Sequence, residues 1–174
     1  LLFLGTSPAQ AQPPDWRLPP PGVTMLGQVG FYSTSPDPAT AFAFVHQAVQ
    51  PFTLLSQYPK LWDWAIVVGY YGVEFRENTC NGYSMCAYAH RIGQYRYNIV
   101  GIHPKATFSP ALGLVLYVHE LRHIVELSHY GVTSECSAWR ATDEAMRTLP
   151  LTFYERRWLE GVRSYDCQEG KDER

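Results

Sequence analysis

The 174-residue chain has room for one domain with a sizeable core, and 46% apolar with 14% aromatic content agrees with a compact globular protein. Lys and Arg number 14 against 16 Asp and Glu, a formal charge of -2, which implies no broad basic surface for nucleic acid or anionic lipid and leaves room only for a local patch. No apolar run reaches the roughly 20 residues that a membrane-spanning helix needs.

Leu1 to Ala11 reads as the tail of a secretory signal: an apolar stretch, then small residues in an Ala-x-Ala pattern ending at Ala11. This predicts a secreted or periplasmic protein. Residues 12–30 hold Pro13, Pro14, Pro19, Pro20 and Pro21 with little periodicity, an extended leader, so the folded domain is expected over 31–174. Asp37-Pro38 opens a helix, with Asp37 as cap and Phe42, Val45, His46 and Val49 at helical spacing, ending near Pro51. A second short helix is expected across Phe52 to Tyr58. Trp64 to Arg76, rich in branched and aromatic residues, predicts a strand or hairpin broken by Gly69 and Gly72. Two further strands flank Gly93. In the second, Tyr95, Tyr97, Ile99, Gly101 and His103 share one face, while Arg96, Asn98, Val100 and Ile102 share the other.

Ser109-Pro110 starts a long helix with no breaker before Gly131 except Gly113. A third helix is expected from about Thr133 to Arg147, and a last one from Pro150 with Phe153, Trp158 and Val162 as its apolar face. The order is an α+β pattern with a small mixed or antiparallel sheet. Four cysteines, Cys80, Cys86, Cys136 and Cys167, fit an oxidising compartment rather than a zinc ribbon. Three pairings are open. The favoured one joins Cys80 to Cys86 around a small loop and Cys136 to Cys167, tying the centre of the chain to its C-terminus.

The long helix carries His119-Glu120-Leu121-Arg122-His123, an HExxH motif. Residues four apart on a helix project from nearly the same face, so both imidazoles could address one ion, with Glu120 beside them. Buried without metal or polar partners, these groups would be costly. The motif, the strand-then-helix order before it and the helix after it, about half the chain, resemble the zincin metallopeptidases. The resemblance implies a sheet whose edge strand holds a peptide substrate, Zn2+ held by His119 and His123, and Glu120 as the base that activates water and carries its proton to the leaving amine.

Two residues compete as third ligand. His129 reproduces the metzincin spacing, but position 126 is Glu where that pattern turns on Gly; on a continued helix His129 lies roughly 80° round and about 15 Å along from His119. Glu135 fits better: Gly131 can bend the chain, Thr133 or Ser134 can cap a returning helix, and Glu135 lies in its first turn with Ala138, Trp139, Thr142 and Met146 at helical spacing. That arrangement resembles the gluzincins. Asp143 is a candidate hydrogen-bond partner for a ligand histidine, though a solvated surface acid is the plainer reading. Tyr130, Tyr154, Tyr165 and His103 are candidate donors to the oxyanion. The expectation is a monomeric zinc peptidase acting on exported peptide or protein, with two alternatives: a non-catalytic zinc-stabilised binding module, or a metzincin using His129.

Overall fold

The computed structural model describes residues 30–92 and 95–167. The expected signal remnant and the leader up to residue 29 lie outside the described residues. Gly30, the expected end of the leader, already belongs to the first strand.

Strand β1 (Gly30–Tyr32) leads into helix α1 (Pro38–Thr53), which starts where the Asp37 carboxylate accepts the Thr40 N–H at 2.9 Å. Two single turns of 3-10 helix, Leu55–Gln57 and Pro59–Leu61, replace the short helix expected there. Helix α2 (Trp62–Tyr71) follows, then strands β2 (Val73–Glu77), β3 (Met85–Ile92) and β4 (Tyr95–Ile102). The sheet order is β1-β2-β4-β3, with β2 parallel to both its neighbours and β3 antiparallel to β4. The sheet is therefore mixed, and β3 forms one edge of it among the described residues.

The strand or hairpin expected over Trp64 to Arg76 is half wrong, since its first part is α2. Parallel strands cannot be joined by a tight turn and need a crossover, which α1 and α2 supply between β1 and β2. Gly72 ends α2 in the left-handed region (φ 58°), where a side chain would be strained. Asn98 of β4 donates to the Tyr71 carbonyl at 2.7 Å, so an otherwise exposed helix end is satisfied by the sheet.

Helix α3 (Pro110–His129) is capped by Ser109, whose hydroxyl accepts the Leu112 N–H at 3.1 Å. It packs against α1, β3 and β4. Between it, α1 and the sheet lies an aromatic core in which Phe75 meets Phe31, Phe52 and Tyr117 with ring centroids 5.2, 4.9 and 4.8 Å apart. The buried Tyr117 hydroxyl donates to Ala48 O at 2.6 Å, so the one polar atom of that ring is satisfied and α3 is registered against α1. Gly113 marks the crossing: a Cβ there would lie 2.6 Å from Pro51 Cγ and 2.7 Å from Phe108. Pro51 lies inside α1, which runs past it for two residues.

The single helix expected over Thr133 to Arg147 is two, α4 (Glu135–Ala141) and α5 (Asp143–Thr148), and α6 (Phe153–Asp166) closes the described chain. The helical spacings expected in α1 and α6 hold in part, since Val45, Val49 and Val162 pack inward. In α1 the buried side is Ala41, Phe44, Val45, Ala48, Val49 and Phe52, while Phe42 and His46 face outward. In α6 Leu159 is the buried anchor and Phe153 and Trp158 are exposed. All four cysteines are paired, Cys80 with Cys86 and Cys136 with Cys167, with Cα separations of 5.5 and 4.9 Å. The favoured pairing is the one present. No helix among the described residues is long and apolar enough to cross a membrane.

Candidate metal centre

His119 and His123 lie on the buried side of α3, one turn apart, because four residues advance the helix by slightly more than a full turn. After His129 the helix stops at Tyr130, and Gly131 (φ 74°) reverses the chain. Ser134 then caps α4, its hydroxyl accepting the Ser137 N–H at 3.2 Å, and Glu135 is the first residue of that helix. The fully buried Ala138, one turn further, lets α4 come close to α3.

This return brings three donors together. His119 Nε2 lies 3.1 Å from Glu135 Oε2, His123 Nε2 lies 3.4 Å from Glu135 Oε1, and the two Nε2 atoms are 3.1 Å apart. A tetrahedral ion with bonds of about 2.0 to 2.1 Å separates its ligand atoms by about 3.3 Å. Each of the three spacings is thus close to that value, the two to Glu135 running to different oxygens of its carboxylate. Two imidazoles and a carboxylate are also a donor set that suits a borderline metal such as zinc. His119, His123 and Glu135 form a group that could hold a metal ion. The histidines are buried, whereas the Glu135 side chain is 49% exposed, so the group opens toward solvent on the α4 side.

Electrostatics follow from this packing. Hydrogen bonds from His119 and His123, reinforced by their charges, hold the Glu135 carboxyl far below the usual carboxylate range. For His123 burial works to lower the pKa, but the Glu135 hydrogen bond and the charges of Glu120, Glu135 and Glu126 prevail and raise it. Glu120 moves the other way from Glu135. It is buried, and desolvation pushes its carboxyl up despite the pull of both histidines. A hydrogen bond from the Ala87 backbone reaches the Glu120 carboxylate.

That last contact places Glu120 against the edge of the sheet. In the β3–β4 pair the His103 N–H donates to Ser84 O, so Met85, Ala87 and Ala89 are the residues whose backbone groups turn away from β4. Ala87 is the one that meets Glu120. The protein thereby sets a carboxylate of raised pKa between a group that could hold a metal ion and backbone groups that β4 leaves unpaired.

The other candidates go elsewhere. His129, at the end of an uninterrupted helix, pairs its Nε2 with the Tyr71 hydroxyl at 2.6 Å. It is not part of the His119–His123–Glu135 group. Asp143 accepts Arg163 of α6 at 2.5 Å, an α5–α6 tie and not a histidine partner. Of the oxyanion candidates, Tyr130, Tyr154 and Tyr165 are exposed, and His103 Nδ1 accepts from Lys105 N at 3.1 Å.

Sequence reasoning missed three contributors. Trp139 packs its ring on His119 with centroids 4.3 Å apart, and its position one turn after Glu135 was the available signal. Glu126 is buried one turn after His123, on the face of the helix that carries the histidines. The part played by Ala87 depends on strand register and left no local mark. No protein-family model, no curated protein and no solved structure matches this chain.

Proposed function

We propose that the chain is a zinc-dependent peptidase of zincin type, exported from the cell and acting on peptide or protein. The observation that carries the reading is the position of Glu120, buried beside His119, His123 and Glu135 and hydrogen-bonded to the Ala87 backbone at the outer side of β3. A site that only stabilised the fold would have no need of a carboxylate there. A zinc ion in this group would supply Lewis acidity, making water a better nucleophile and polarising a peptide carbonyl.

The residues divide the rest of the work. His119, His123 and Glu135 hold the ion, and Glu135, the most exposed of them, leaves an approach from solvent. Glu120, its pKa raised by burial, accepts the proton of the attacking water and returns it to the leaving amine. An extended peptide laid along β3 adds a strand to the sheet, its backbone pairing with Met85, Ala89 and the Ala87 carbonyl, since the Ala87 N–H already serves Glu120. This places its carbonyl near Glu120 without any side-chain recognition, so broad sequence tolerance is expected. The two disulfides support export, since such bonds persist in oxidising compartments.

The deciding experiment is zinc content together with hydrolysis of an unstructured protein substrate, for the wild type and Glu120→Gln. About one equivalent of zinc in both, with activity lower by about 10²- to 10⁴-fold in the variant, supports the reading. Zinc in both without hydrolysis by the wild type supports a non-catalytic module. Failure to take up zinc removes both.

A further inference from the structure

Glu126 is 4% exposed, and a carboxylate so buried is costly unless polar partners surround it. Its partners come from both sides of the metal-holding group. On its own helix Arg122 Nε donates to Oε1 at 3.0 Å. From the returning segment the Ser134 N–H donates to Oε2 at 2.8 Å, and the Ser137 side chain adds a further hydrogen bond. Ser134 caps α4 and directly precedes Glu135, so this carboxylate fixes where the helix bearing Glu135 begins. Oε2 also lies 3.7 Å from His123 Nδ1, and that nitrogen is buried without a hydrogen-bond partner. A neutral imidazole that coordinates through Nε2 carries its proton on Nδ1. A closure of about half an ångström would make that N–H a charge-assisted hydrogen bond to Glu126.

We infer that Glu126 is a positioning residue for the metal group: it selects Nε2 of His123 as the coordinating nitrogen, and by holding Ser134 it delivers Glu135 to the two histidines. The inference rests on the reading of that group as a zinc site. One carboxylate thus sets two of the three ligands, one through a ring orientation and one through a backbone anchor. The helix does not bend at this position, and Glu126 serves instead as the point to which the returning chain is tied.

The test uses the full chain, wild type and the nearly isosteric Glu126→Gln, titrated with zinc against a competing chelator. The zinc dissociation constant is expected to rise about 10- to 100-fold in the variant. The second readout starts from the wild type. In ¹⁵N-histidine NMR of the zinc-loaded wild type, His123 should coordinate through Nε2 and show a slowly exchanging Nδ1–H at a downfield shift, which moves upfield in Glu126→Gln. A dissociation constant within twofold of wild type, or coordination of His123 through Nδ1, would overturn the positioning role while leaving the zinc site in place. A wild type that binds no zinc overturns the zinc reading itself, and this inference with it.

Discussion

The indole of Trp139 lies against the imidazole of His119, ring centroids 4.3 Å apart, and donates through Nε1 to Asp166 Oδ2 at 2.9 Å. A helix that carries one member of the metal group thus also braces another, and it is itself anchored to the end of α6. Trp139 is buried, so Trp139→Ala should cost about 3 to 5 kcal/mol, the range for emptying a large aromatic site. Trp139→Phe keeps most of the packing and loses the hydrogen bond to a charged acceptor, with an expected cost of about 1.5 to 3 kcal/mol. Urea unfolding of the metal-free proteins measures both. Equal costs would mean that the ring contributes little beyond its N–H.

Gly113→Ala should reverse the usual sign. In an exposed helix interior the change stabilises by about 1 kcal/mol. Here the added methyl meets Pro51 and Phe108 at 2.6 and 2.7 Å, where α3 crosses α1. Overpacking typically costs about 1 to 3 kcal/mol, so a net loss of stability is expected. A lowered urea midpoint with an unchanged denaturant slope checks it, and a raised midpoint would show that the crossing can open.

These packing terms mark what was readable in the sequence. The histidine pair, the run of α3 to His129, the stop at Gly131 and the Ser134 cap were legible because each depends on neighbours within a few residues. Glu135 followed from them. The α2 segment was misread because its branched and aromatic residues favour a strand locally, while the parallel placement of β1 and β2 demands a crossover that no local pattern encodes. The three residues of β1 lie directly after a proline-rich stretch and are too few to show a period. Phe153 and Trp158 are large and apolar and so read as core, yet a helix buries only the side that its neighbours cover, and α6 turns Leu159 inward instead. Glu126 and Ala87 gain their roles from the returning loop and from strand register, neither of which exists before the chain is folded.

The link between α3 and α6 should weaken in acid. Glu155 accepts the Ser109 hydroxyl at 2.6 Å through Oε1, and the Thr152 N–H and hydroxyl at 2.8 Å each through Oε2. Burial acts to raise its pKa, but these hydrogen bonds outweigh it and lower the carboxyl below its ordinary value. A depressed folded-state pKa contributes stability that is present above the unfolded value near 4.5 and is lost as pH falls through the folded one. Glu155→Gln should therefore be less stable than wild type at pH 7, by about 1 kcal/mol on the scale of a helix cap, with the gap closing below pH 4.5. Urea unfolding of both proteins across that range measures the gap, and one that stayed constant in acid would remove the carboxylate charge from the account.

Reduction of Cys136–Cys167 should loosen the metal group as well as the fold. Cys136 is the residue after Glu135, and Cys167 follows Asp166, the acceptor for Trp139. The bond and the indole therefore fasten the α4 start and its middle to the same point at the end of α6. The crosslink spans a sequence separation of 31, which in the loop-entropy picture constrains the unfolded chain by about 3 to 4 kcal/mol. A carboxylate ligand is effective only when it is held in place, and freeing the first turn of α4 lets Glu135 move away from His119 and His123. The double variant Cys136→Ser, Cys167→Ser is therefore expected to lose about 3 kcal/mol in urea and to bind zinc more weakly, while the Cys80→Ser, Cys86→Ser pair, which joins the β2–β3 connection to the start of β3 and touches neither α4 nor α6, should leave zinc affinity near that of wild type. Chelator competition on both variants separates the outcomes. Equal zinc affinity in the two would show that Glu135 is held by the α3–α4 contact alone.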